Sequence, residues 1–95
     1  MITRIVKLHF QEEKVEDFLL LFDKVVTKVN GFPGCHKMYM LRDINNPLIF
    51  ITHSIWESEN HLNTYRDSEL FQSIWPTIKP WFVDRPQAWS LENYE

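Results

Sequence analysis

Two glycines, one cysteine and five prolines among 95 residues leave several common chemistries without their raw material. Two glycines cannot build a glycine-rich phosphate cradle, and no serine nucleophile motif appears. The single cysteine, Cys35, excludes an intrachain disulfide and any multi-cysteine zinc or iron–sulfur centre. It reads as a small apolar residue rather than a nucleophile, and the expected compartment is reducing and cytoplasmic. Basic charge is not in excess either: ten Lys and Arg face thirteen Asp and Glu, a net charge of -3. That balance gives no electrostatic footprint for nucleic acid or for an anionic membrane. No apolar run approaches the roughly 18 residues of a membrane span. The four histidines, His9, His36, His53 and His61, form no H-x-H or H-x-x-x-H pair. His53 and Glu57 share a strand face but would stand about 13 Å apart, so no metal site is expected.

What the chain does have is aromatic surface. Four Trp, three Tyr and seven Phe make up 15% of it, with Trp75, Trp81 and Trp89 in the last quarter. Such rings build a dense core or wall a pocket for a flat organic ligand. At 44% hydrophobic and 24% charged, the composition is that of one folded domain spanning residues 1–95.

Periodicity divides the domain. Ile2 to Phe10 alternates, with Ile2, Arg4, Val6, Leu8 and Phe10 on one face and Thr3, Ile5, Lys7 and His9 on the other, which is a strand. Val15, Phe18, Leu19, Phe22, Val25, Val26 and Val29 recur at helical steps and predict a helix from Glu12 to Val29. Gly31 to Gly34 breaks it. Cys35 to Asp43 and Leu48 to Trp56 read as a hairpin around Ile44-Asn45-Asn46-Pro47. Ser58 can cap a helix from Glu59 to Arg66, and Asp67 or Ser68 a second one whose pattern includes Pro76 and Pro80. Those prolines should end the helix, kink it or start a new turn. Gln87 to Leu91 is the last strand.

Strand, helix, strand, strand, helix, strand is the α+β, ferredoxin-like βαββαβ order with an antiparallel sheet. The third strand is apolar on both sides, with Phe50 and Trp56 on one and Ile49, Ile51 and Ile55 on the other. Helices cover one face of such a sheet, so the other needs a partner, and a homodimer is expected.

Four pieces in order carry a resemblance: Phe32-Pro33-Gly34-Cys35; Leu41-Arg42-Asp43; Ile55-Trp56-Glu57-Ser58-Glu59; and Tyr65 through Ser68-Glu69-Leu70-Phe71. From the first strand to Pro86-Gln87-Ala88-Trp89, the chain resembles the antibiotic biosynthesis monooxygenase domain. The resemblance implies a dimeric α+β barrel with a pocket between each sheet and its helices. It also implies a quinol-monooxygenase-like oxidation of a quinol-like or polycyclic aromatic substrate by dioxygen, with no bound cofactor. The haem-degrading relatives carry an asparagine, a tryptophan and a histidine where this chain has Val6, Tyr65 and Trp75, so haem degradation is not expected.

For such chemistry the candidate substrate-binding residues are Trp56, Phe71 and Trp75 as aromatic wall, with Thr52 and Arg4 as polar contacts. Strand parity puts Thr52 and Ser54 beside Trp56, and Thr52 stands where some of the related oxygenases have asparagine. The candidate catalytic residues are Tyr65, His61 and His9. A phenol of ordinary pKa near 10 makes Tyr65 a better donor than base, and His61, one helical turn earlier, shares its face. Arg4, the one charge on the apolar face of the first strand, would pair with a phenolate or carboxylate. Two other readings remain on the same fold: a non-catalytic dimeric binding protein for a hydrophobic metabolite, and a small-molecule isomerase or mutarotase.

Overall fold

The computed structural model describes all 95 residues. In chain order the elements are β1 (Ile2–His9), a 3-10 turn (Glu12–Lys14), α1 (Val15–Asn30), β2 (Cys35–Arg42) and β3 (Ile49–Trp56). There follow α2 (Glu59–Arg66), α3 (Glu69–Ile78), a second 3-10 turn (Lys79–Trp81) and β4 (Gln87–Leu91). The four strands form one antiparallel sheet in the order β2-β3-β1-β4, the ferredoxin-like α+β topology.

α1 starts later than its apolar periodicity suggests. Gln11 caps nothing with its side chain; its amide instead donates to the Pro80 carbonyl at 3.1 Å, and its backbone N–H donates to the Trp81 carbonyl. With Gln11 held to the Pro80–Trp81 segment, the chain makes a 3-10 turn before α1 begins at Val15. α2 and α3 have true caps: Ser58 Oγ accepts from the His61 N–H and Ser68 Oγ from the Phe71 N–H. α3 runs through Pro76, which deprives only the exposed Gln72 of its helical donor, and the new turn starts around Pro80. Asn30 closes α1 by exchanging two hydrogen bonds with the Met38 backbone, which fixes the helix against β2.

The core lies between the helices and the sheet face that carries Leu8, Phe10 and Phe50. Phe10 is fully buried and stacks on Phe18 at 4.2 Å, with Phe50 edge-on to both. On the opposite face, pairing lines up Tyr39, His53, Ile5 and Trp89 across the four strands, beside Leu41 with Ile51 and Leu91 with Thr3. Tyr39, Leu41, Trp89 and Leu91 are exposed, and Nδ1 of His53 is buried there without a hydrogen-bond partner.

Candidate active site

A cavity of about 820 Å³ separates the helix-covered sheet face from the helices, large enough for a ligand of several rings. Strand register builds its floor in rungs: Ile2 pairs with Trp56, Arg4 with Ser54 and Ser90, Val6 with Thr52 and Ala88, and Leu8 with Phe50. Side chains two apart on a strand share a face, so Arg4, Val6 and Leu8 point into the cavity together, as do Thr52, Ser54 and Trp56.

The wall is a continuous run of rings. Tyr65 stacks on Trp56 at 4.9 Å and meets Phe71 edge-on at 5.3 Å. Phe71 stacks on Trp75 at 5.9 Å, their planes only 11° apart. Trp56 is 1% exposed, and its indole N–H donates to the buried Ser54 hydroxyl at 2.9 Å. That bond fixes the ring plane and satisfies both buried polar groups. The exposed lining residues Asn63, Arg66, Asp67 and Gln72, at the end of α2 and the start of α3, mark the opening.

Burial, with a smaller push from Cys35, raises the Tyr65 phenol to about 12. It is therefore protonated at neutral pH, so it can donate its proton in a hydrogen bond but does not serve as a base. The Arg4 guanidinium, half-buried, is shifted down first by desolvation and then by Arg66, yet stays cationic. Its one hydrogen bond is to Ser90 Oγ at 2.9 Å. The three ion pairs of the chain join His9 to Asp84, Lys14 to Asp17 and His36 to Glu57, so neither cavity arginine has a carboxylate partner.

The cavity thus gathers Arg4, Thr52, Trp56, Tyr65, Phe71 and Trp75. It does not gather the two histidines. His9 lies on the opposite sheet face, hydrogen-bonded to Asp84 at 3.2 Å. His61 is exposed at the first turn of α2, its Nδ1 2.7 Å from Ser58 Oγ and its ring against Gly34. Shared helical spacing with Tyr65 does not bring it to the cavity, because the capping serine holds it at the helix start. Cys35 is half-buried outside the cavity, and burial pushes its thiol up, so it is not an activated thiolate. Ser90 and Arg66 were missed by sequence reasoning. Arg66 is four residues after the buried Leu62, a spacing that could have placed it on the inward stripe of α2.

Comparison with known proteins agrees with this geometry. Among solved structures, an antibiotic biosynthesis monooxygenase superposes with a TM-score of 0.94 at 19% identity, covering 100% of both chains. A conserved protein from Methanosarcina mazei Go1 gives 0.90 at 22% identity over 97% of this chain and 92% of that one. Rv0793 from Mycobacterium tuberculosis gives 0.91 at 12% identity over 99% and 95%. At such identities the likeness establishes the fold and leaves the reaction to the site. No curated protein matches the sequence. The family described as Antibiotic biosynthesis monooxygenase matches residues 1–75, more than half of the chain, and the protein belongs to that family.

Proposed function

We propose that the cavity is the active site of a monooxygenase that needs no bound cofactor and oxidises a quinol-like or polycyclic aromatic molecule with dioxygen. One observation carries the reading: the ring run from Trp56 through Tyr65 and Phe71 to Trp75 walls a cavity, open at one end, whose floor offers the Thr52 hydroxyl and the Arg4 guanidinium. Flat π faces receive a flat substrate, and a bound ring displaces water from the apolar interior.

The electron balance closes without a redox group. A ring methylene between two aromatic rings loses a proton; the resulting carbanion passes one electron to dioxygen, and the radical pair combines into a peroxide. Protonated, that peroxide expels water and leaves a ketone, so one oxygen atom enters the product and the other leaves as water. The chain's own residues hold the substrate plane and donate a hydrogen bond from Tyr65 to the substrate oxygen, while the Arg4 guanidinium holds a polar or anionic group of the substrate. No histidine lines the cavity; the first proton leaves through the open end, where Asp67 is the one carboxylate of the lining. In this reading two copies associate through their outer sheet faces as a homodimer, which would cover Tyr39, Leu41, Trp89, Leu91 and the unpartnered His53 nitrogen.

The test is dioxygen uptake by the purified protein with reduced naphthoquinones and anthrones. Uptake above autoxidation that is lost in the Trp56→Ala, Tyr65→Ala double variant is expected. The lack of a histidine in the cavity favours one second reading, a non-catalytic dimeric binding protein for a hydrophobic metabolite. Tight binding of the same compounds with no uptake across the panel would select it.

A further inference from the structure

We infer that the open end of the cavity is an anion site formed by Arg4 and Arg66, and that the ligand it takes is an aromatic molecule carrying one carboxylate. The inference deepens the proposed function and rests on it for the position of the reacting ring.

Both guanidiniums line the same cavity, and neither has a carboxylate within ion-pair distance. Arg4 sits one rung from Val6 and Thr52 on the sheet floor, and Arg66 is the last residue of α2. They are near enough that Arg66 makes the charge on Arg4 harder to hold. Holding two like charges together around a half-buried guanidinium is unfavourable unless an anion comes between them. Elsewhere the chain does set carboxylates against basic side chains across elements, joining His36 on β2 to Glu57 and His9 on β1 to Asp84. The unpaired state of the cavity arginines is thus local.

The occupant follows from shape and charge. Asp67 also lines the opening, so the mouth carries two positive charges and one negative, which matches a monoanion better than a dianion. Guanidinium forks complement the planar carboxylate, and the Ser54 and Ser90 hydroxyls share the Arg4 rung. Inward from that rung the lining turns apolar, through Val6 to Leu8, Phe18 and Ile78. A ligand with its carboxylate on the arginines therefore places its rings in the apolar interior, so the charged end and the reacting ring are different parts of one molecule.

The experiment compares an anthraquinone monocarboxylate with its neutral carboxamide by quenching of tryptophan fluorescence at low salt. These oxidised compounds cannot be consumed, so binding is read apart from turnover. The carboxylate is expected to bind at least about tenfold tighter, as charge-assisted hydrogen bonds allow. Arg4→Gln should remove most of that preference and Arg4→Lys restore part of it. Arg66→Gln, on an exposed helix end that tolerates change, should reduce it about twofold, since exposed charge is screened. Equal binding of the two compounds, failure of both to bind, or a preference that survives in both glutamine variants would overturn the inference. A carboxylate preference without dioxygen uptake would leave the anion site standing and remove the oxygenase reading; uptake without the preference would do the reverse.

Discussion

Replacing Gly34 by alanine tests how the turn before β2 positions the cavity. Gly34 has φ of 85°, in the region where an L side chain crowds its own backbone, at a cost of about 1–2 kcal/mol. An alanine methyl would also sit 2.5 Å from Cβ and Cγ of His61, where carbon atoms normally keep about 3.5–4.0 Å. Neither neighbour can yield freely. Ser58 Oγ holds both the N–H and Nδ1 of His61, and the Gly34 carbonyl accepts the Glu57 N–H at 2.8 Å. Displacing helix or turn should add about 1–2 kcal/mol, as overpacking does. The expected loss is thus about 3 kcal/mol, or about 12–24 °C in melting temperature for a domain of this size. Urea unfolding followed by circular dichroism measures it, at fixed protein concentration because the proposed association would shift the midpoint. Combining the change with His61→Gly should recover the steric part and leave the φ part, a coupling of about 1–2 kcal/mol in a double-mutant cycle. A Gly34→Ala protein within about 0.5 kcal/mol of the parent, or a cycle with no coupling, would refute the reasoning. Since α2 also carries Leu62, Tyr65 and Arg66, the same variant should loosen the Trp56–Tyr65 stack and weaken ligand binding.

Burial raises the Tyr65 phenol from 10.0 to about 12, so its contribution to stability is complete below pH 10.0 and is lost as pH climbs toward about 12. Thermal melts across that range should show the loss, and Tyr65→Phe should abolish it. Tyr65→Phe should also slow dioxygen uptake about 100-fold without changing the shape of the pH profile below pH 10.0. Glu57 behaves oppositely: the hydrogen bond and charge of His36 hold its carboxyl below the ordinary 4.5, so its stabilising effect is present above pH 4.5 and fades as pH falls through the lowered value. His36→Gln should flatten that part of the acid limb in melts against pH. On the outer sheet face, Leu41→Glu should shift the protein toward monomer in analytical ultracentrifugation, whereas a parent that is already monomeric would exclude the proposed assembly.

The fold was legible because its signals are local and agree with one another. Serines at 58 and 68 cap the two helices that their sequence context announces, and the alternation of β1 sets which side chains face the helices. The start of α1 was not legible, because it depends on Gln11 bonding to carbonyls some seventy residues away. The site was legible by halves. Parity put Arg4 and His9 on opposite faces of β1, which already separates His9 from any cavity that Arg4 lines. His61 misleads because helical spacing ranks it with Tyr65, while its capping contact and the close approach of Gly34 hold it outside. The Arg4–Ser90 contact spans 86 positions, and only strand pairing brings it about.

The same distinction decides what kind of catalyst this lining could be. A general base works by accepting a proton in the transition state, and it needs a pKa near the working pH. The cavity interior holds instead a phenol raised to about 12 and an arginine that never deprotonates in water, while the one carboxylate of the lining, Asp67, stands exposed at the mouth. Groups of this kind act on the equilibrium rather than on the proton: they favour an ionised substrate over its neutral form, and the proton is released through the mouth. For the proposed oxygenase, the ascending limb of kcat/KM against pH would therefore report the ionisation of the substrate, and it should move when the substrate's acidity is changed by ring substituents while the protein is held constant. A limb that stays fixed across such a series would belong to a protein group, and would return the assignment to a protein base, for which Asp67 is the one carboxylate of the lining.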